Sequence, residues 1–309
     1  MNRSLILRFS ACLALLWLTQ GVPLSGAAGG SDMLVRFLVS TTIVSEVNAN
    51  DARATLKIWA GVIEKQSGLR IDQTRGLLAT PAEVLQAVRN GLVDGVAVTM
   101  PEYVQVAAYC EPDFFVLDNK HAHGGEEYLI LAHAASGIRS APDLRGRSLI
   151  VHDASVTCLA DAWLRVLLAQ VAGGGRKEFF GTAARDANIS RGVVLPVFFR
   201  KADACLVARS AFDTMCELNP QLARELRVVA TSPKVVPVLT GFHKNALPDV
   251  KTRLASALVT LQHSVIGGQV LTLFQSRGIV AGDSSALRGT IEMLAAAERI
   301  KAGVAEAKR

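Results

Sequence analysis

At 309 residues, with half of them apolar and 19% charged, the chain is long enough for one large domain or two compact lobes, and too apolar to be disordered. Aromatic residues make up 6%, which excludes a broad base-stacking surface. The formal net charge of +6 is scattered along the chain, so it helps attract a small anion and does not form a nucleic-acid footprint.

Residues 1–27 read as a secretory signal. Arg3 and Arg8 supply a basic start, an apolar run covers 11–18, and Ser25-Gly26-Ala27 fits a small-residue cleavage site. That run is much shorter than the roughly 20 residues that span a membrane. An uncleaved anchor or a buried helix is the alternative. Cys12 opens the run instead of following it, so lipid attachment is not expected. Cleavage removes two arginines and no acid, which lowers the charge from +6 to +4, and it places the protein in the periplasm.

Beyond the signal, strand-like and helix-like patterns alternate. A strand is expected over 33–39, running into Ser40-Thr41-Thr42, and a helix over 49–66 is stopped by Gly68. The next strand covers 69–74. Thr80 then caps a helix that has Pro81 at its first position, and a third strand covers 93–98. A second series opens with a strand at 128–131. A turn at 143–146 feeds a strand over 148–151, and His152 to Thr157 leads into a helix through Val171 that Gly173-Gly174-Gly175 closes. A helix over 187–199, a strand over 204–207, a helix over 210–218 and a strand over 226–229 complete the series. The last third opens with a strand at 235–242, followed by helices near 249–264, 269–275 and 285–305.

This order is an α/β pattern with parallel winding. Two lobes are expected, residues 32–132 plus 234–309 forming one and 133–233 the other, with crossings near His133 and Ser232-Pro233. A single larger α/β domain is the alternative.

In open α/β sheets ligands bind beyond the carboxyl ends of strands. That rule selects Ser40-Thr41-Thr42, Thr99 to Tyr103 and Ser155-Val156-Thr157. Hydroxyls beside the unpaired N–H groups of a helix start suit a phosphate-like oxyanion; simple helix capping is the competing role for both segments. Asp94 and Asp203 each precede a strand and face either a cleft or a solvated turn. Tyr103 lines a pocket or packs in the core. His152 is a candidate pocket donor or a surface residue, and His121, His123 and His133 form no helical pair. Cys110, Cys158, Cys205 and Cys216 fit no zinc spacing, and their pairing is left open. No nucleophile elbow, phosphate loop, zinc-protease or dinucleotide motif occurs in the sequence, so neither catalytic residues, a metal nor a cofactor is expected.

Several stretches resemble the phosphate/phosphite/phosphonate-binding periplasmic proteins of ABC transporters. They are Ser45-Glu46-Val47-Asn48-Ala49-Asn50-Asp51-Ala52, Gly91-Leu92-Val93-Asp94-Gly95, Asp143-Leu144-Arg145-Gly146, Pro196-Val197-Phe198-Phe199, Ala202-Asp203-Ala204, Glu217-Leu218-Asn219-Pro220-Gln221 and Ser232-Pro233. The resemblance implies a two-lobed type 2 periplasmic-binding fold with a ligand cleft between the lobes. By the same resemblance, Ser155, Val156 and Thr157 hold a small oxyanion and Ser40, Thr41 and Thr42 face it from the other lobe. Tyr103 matches an aromatic of the cleft wall, and Asp203 an acid that meets a ligand amine. The implied role is solute capture by lobe closure for an ABC permease, by a monomer with no nucleic-acid partner. A sensor subunit feeding a membrane kinase, or an enzyme on the same scaffold, are the rivals. Two departures stand out: Val156 interrupts a run that is usually hydroxylated, and Arg200-Lys201 stand where a glycine often precedes the acidic position.

Overall fold

The computed structural model describes residues 33–119, 125–172, 179–273, 276 and 278–306. The expected signal at 1–27, the glycine run at 173–175, and His121 and His123 fall outside those residues. Everything described below belongs to one compact unit.

The first part of the chain forms strands β1 (Leu34–Val35), β2 (Phe37–Ser40), β3 (Arg70–Ile71), β4 (Leu78–Ala79), β5 (Gly95–Thr99) and β6 (Cys110–Asp118), with helices α1 (Ala49–Ser67), α2 (Pro81–Arg89) and α3 (Met100–Tyr103). Local chemistry sets these limits. Gly68 ends α1 at φ 66°, a left-handed conformation that favours glycine. A Thr80–Glu83 capping box with Pro81 starts α2. The middle part supplies β7 (Tyr128–His133), β8 (Ser148–His152), β9 (Thr182–Asp186), β10 (Ala204–Ala208) and β11 (Leu226–Thr231), with α4 (Ala160–Ala172), α5 (Leu195–Phe198), α6 (Arg209–Leu218) and α7 (Gln221–Glu225). Strands β12 (Val238–His243) and β13 (Ile279–Ala281) follow, with α8 (Pro248–Thr260), α9 (Val265–Leu273) and α10 (Ser284–Glu306). Among the described residues no single helix is long and apolar enough to cross a membrane.

The strands build one main sheet per lobe, and β1 and β3 pair in parallel as a separate two-stranded sheet. The first main sheet has the order β13-β6-β12-β5-β2-β4 and the second β11-β7-β10-β8-β9. Winding is parallel where helices cross over, at β4-β2-β5 and β10-β8-β9. It is antiparallel elsewhere, so both sheets are mixed. Strand β7 is buried along its whole length, as a central strand covered on both faces must be. The C-terminal segment returns to the first sheet through β12 and β13.

The outward crossing differs from the expectation near His133. Tyr128–His133 pairs with β10 and β11 inside the second sheet, so the chain changes lobes just before it. There the backbone of Glu126 pairs with that of Val235 through hydrogen bonds of 2.7 and 2.8 Å, which ties the two crossings together. Gly125 is required at this place: a Cβ would lie 2.8 Å from the Val235 carbonyl oxygen, and φ is +77°.

Three apolar clusters fill the fold. One lies between the first sheet and helices α1, α8 and α9, and includes Phe37, Trp59, Ile63, Leu254 and Leu258. A second joins both lobes, with Val98 and Met100 from the first and Tyr128, Ile130 and Trp163 from the second. The third covers the other face of the second sheet. Arg200 holds φ 58°, alone among described non-glycine residues in that region. The departure from glycine noted in the sequence therefore falls where a side chain is strained.

Candidate functional site

On the first-lobe side, β2 ends at Ser40 and the chain turns through Thr41–Val44. Ser40 is fully buried. Its hydroxyl donates to Glu102 Oε1 at 2.9 Å, and the Thr42 hydroxyl donates to the same oxygen at 2.7 Å. The other carboxylate oxygen, Oε2, accepts the Thr99 N–H at 2.9 Å. The two hydroxyl oxygens also lie 2.7 Å apart, so Ser40, Thr42 and the Glu102 carboxylate form one closed network. A hydroxyl has one proton to give, and in this arrangement Ser40 and Thr42 spend theirs within that network. Thr41 is half-buried in the same turn, which packs against the turn Ser155–Thr157 of the other lobe.

Tyr103 belongs to the core. It is 4% exposed, and its ring lies so close to Gly241 that a Cβ there would come within 3.2 Å. Burial, with Cys110 and Asp113 adding to it, pushes its hydroxyl pKa up to about 12.

On the second-lobe side, β8 ends at His152 and the chain enters the turn Ser155–Thr157 from Ala154, which is extended. Thr157 faces inward: its hydroxyl donates to the His152 carbonyl at 2.6 Å and accepts the Ala154 N–H at 3.2 Å. It shapes the turn and has no proton left for a ligand. The Val156 carbonyl accepts the Tyr128 hydroxyl at 2.9 Å. The Ser155 amide points across to the first lobe and donates to Glu46 Oε1 at 2.6 Å. A charge-assisted bond of this kind is among the stronger hydrogen bonds proteins make. His152 sits beneath, 6% exposed, with Nδ1 lacking a partner. Its burial lowers the ring pKa, partly offset by Glu46 and by a backbone bond at Ala187.

Beside this turn lies a cavity of about 170 Å³. Its floor is a row that the register places across four strands of the first sheet. Val39 pairs with Ala97, Ala97 with Thr240 and Thr240 with Val116. The two central positions of the row are small, so space remains beneath Trp59 and Leu258, which also line it. Ser155 and Val156 are its walls from the second lobe, and Asp118 is its carboxylate. No Lys or Arg lines it among the described residues.

Asp203 is elsewhere. The register sets Ala204 beside Leu149, so Asp203 adjoins Ser148 at the amino end of β8. It accepts the Ser148 N–H at 2.9 Å and the hydroxyl at 2.7 Å, and pairs with Arg147 at 3.6 Å. Ser155 follows the opposite end of that strand, whose four rises of about 3.3 Å span about 13 Å. Asp94 likewise binds Arg36 through both carboxylate oxygens, at 2.8 and 3.1 Å, at the amino end of β5. Both acids are struts. Cys110, Cys158, Cys205 and Cys216 are free, and the Cys158 thiol donates to the Pro237 carbonyl at 3.3 Å. Among the described residues no group of side chains could hold a metal ion.

Glu46, Glu102 and the Ala97 row were not singled out as site residues from the sequence. Glu102 had a readable signal, since Thr99-Met100-Pro101-Glu102 has the spacing of a capping box. Glu46 and Ala97 had none, because their roles depend on pairing across the sheet and across the lobes.

The family profile described as ABC transporter, phosphonate, periplasmic substrate-binding protein matches residues 42–287. No curated protein matches the sequence. Among solved structures, a binding-protein component of an ABC phosphonate transporter from Pseudomonas aeruginosa is similar at 16% identity and TM-score 0.59, covering 87% of this chain and 88% of that one. A Xanthomonas citri protein bound to ATP is similar at 16% identity and TM-score 0.62, covering 87% and 98%. A Prochlorococcus marinus protein in complex with methylphosphonate is similar at 12% identity and TM-score 0.59, covering 85% and 97%. At these identities the likeness concerns the fold.

Proposed function

The chain belongs to the phosphonate-type periplasmic substrate-binding family of ABC transporters, and from that premise we propose that the Ser155 amide receives the anionic head of a small phosphonate-class solute. The family consists of transport binding proteins and not enzymes, and it works outside the cytoplasm. Residues 1–27 serve as the export signal, and the carrier acts as a monomer that hands its solute to a membrane permease.

The observation that carries the reading is the bond from Ser155 N to Glu46 Oε1 at 2.6 Å. The second-lobe turn already takes an oxyanion, supplied by the first lobe of the same chain. A phosphonate oxygen arriving between the lobes replaces Glu46 on that amide, and Glu46 moves into solvent. Closure is then favoured only by contacts stronger in the closed form than in the open one. The paired crossings at Glu126 and Val235 are the natural place for the bend, as hinges are few-residue segments between rigid bodies.

Calorimetric titration of the purified protein with methylphosphonate, phosphite and phosphate, with sulfate as a control, tests this. Saturable binding of at least one phosphorus oxyanion in preference to sulfate is expected. Silence towards all three phosphorus anions would contradict the proposal.

A further inference from the structure

The cavity beneath the Ala97 row carries an inference about the class of solute, and it rests on the reading that the anionic head sits at Ser155. We propose that this cavity takes an apolar substituent of the solute, so that the preferred ligands are organophosphonates bearing a hydrocarbon group up to about the size of a benzene ring.

Three observations support this. The first is size. The space, partly open to solvent, measures about 170 Å³. An engineered apolar cavity of roughly 150 Å³ binds benzene.

The second is chemistry. The floor is Val39, Ala97, Thr240 and Val116, and Trp59 and Leu258 roof it. Trp59 and Phe37 stack with ring centroids 4.9 Å apart and give one wall an aromatic surface. Without Lys or Arg among its described lining residues, the cavity offers no cation to a second anionic group and accepts hydrocarbon.

The third is position. Ser155 and Val156 line this cavity, and Ser155 carries the amide that holds the Glu46 carboxylate. An anion on that amide therefore has the apolar space directly beside it. The register explains why the space exists: Ala97 occupies the centre of a row whose outer members are valines.

A homologous series tests the proposal. Methyl-, propyl-, pentyl- and phenylphosphonate are titrated calorimetrically into the wild-type protein, Ala97→Leu and Ala97→Val, with a thermal melt of each protein. Burying one methylene corresponds to about a fourfold gain in affinity. In the wild type, affinity is expected to rise by about that factor per carbon until the cavity is full. In Ala97→Leu the best chain length becomes shorter. Ala97→Val is the milder filling, with a β-branched residue suited to a strand, and gives the same shift to a smaller degree if the leucine variant does not fold. Methylphosphonate binding with no gain along the series overturns the cavity assignment and leaves the head-group reading standing. A gain whose optimum is the same in every folded variant places the tail elsewhere and also overturns it. If no phosphonate of any length binds, the head-group reading falls and takes this one with it.

Discussion

Ser155→Pro removes the N–H proposed to receive the anion. Proline removes the amide proton and fixes φ near −65°. Position 155 opens the turn Ser155–Thr157, the place where a helical element tolerates proline because its first N–H has no partner within the turn. The preceding residue must be extended, and Ala154 already is, at φ −145° and ψ 161°. The fold is therefore expected to survive, with a melting temperature lowered only by the loss of the Ser155–Glu46 bond. Removing a hydrogen bond to a charged group costs roughly 1.5–3 kcal/mol, and about 1.4 kcal/mol is tenfold in affinity. Because the free protein also loses the Glu46 bond that the ligand displaces, which offsets up to about 1.4 kcal/mol of that cost, methylphosphonate should bind a few-fold to about 15-fold more weakly to Ser155→Pro by calorimetry. Ser155→Ala, which keeps the amide, should lose much less. Wild-type affinity in a folded proline variant would refute the reasoning. Equal losses in both variants would move the contact from the amide to the hydroxyl.

Four further outcomes follow from the same geometry. Glu46→Gln removes the competing charge from the Ser155 amide, so methylphosphonate should bind up to about tenfold more tightly in calorimetry, the worth of one charge-assisted bond at an exposed position. Asp203→Asn weakens the Ser148 and Arg147 contacts far from the cleft; chemical denaturation should show a loss of about 1 kcal/mol, with ligand affinity as in the wild type. His152 is buried and its pKa lies below the ordinary value, with Glu46, Asp153 and Asp186 the charged groups acting on it. The unfolded chain therefore binds its proton first, so stability should be complete above about pH 6.5 and fall on acidification; denaturation midpoints of the wild type at pH 7 and 5.5, compared with those of His152→Gln, isolate this slope. Arg200→Gly relieves a left-handed side chain worth about 1–2 kcal/mol and gives back about 0.4–1 kcal/mol in unfolded-chain entropy, so a net gain of roughly 0.5–1 kcal/mol is expected in denaturant melts.

Elements whose limits are set by neighbouring residues were legible. The Thr80–Glu83 box, the Gly68 stop and the apolar run of β7 all follow from short-range chemistry. Strand β6 did not show itself, because Glu111, Pro112 and Asp113 interrupt any apolar alternation near its start. Strand β9 is exposed along its length and so carries no apolar signal at all. At the site, the rule that ligands lie beyond the carboxyl ends of strands located the turn at Ser155. Applied strictly, the same rule separates Asp94 and Asp203 from the cleft, since each precedes its strand. The Glu102 network at Ser40 and Thr42 was not legible for another reason: Glu102 is 62 and 60 residues away in sequence, and local pattern cannot say which acceptor a hydroxyl will meet. The cavity was invisible for the same reason, because Ala97 makes space only once β2, β5, β12 and β6 are in register.

The most direct measurement is a crystal structure of the protein grown with methylphosphonate. A phosphonate oxygen within about 3 Å of the Ser155 nitrogen, with the Glu46 carboxylate displaced from it and the methyl group directed towards Ala97, is the predicted result. Methylphosphonate bound away from the Ser155 turn, with Glu46 still on that amide, would contradict the account.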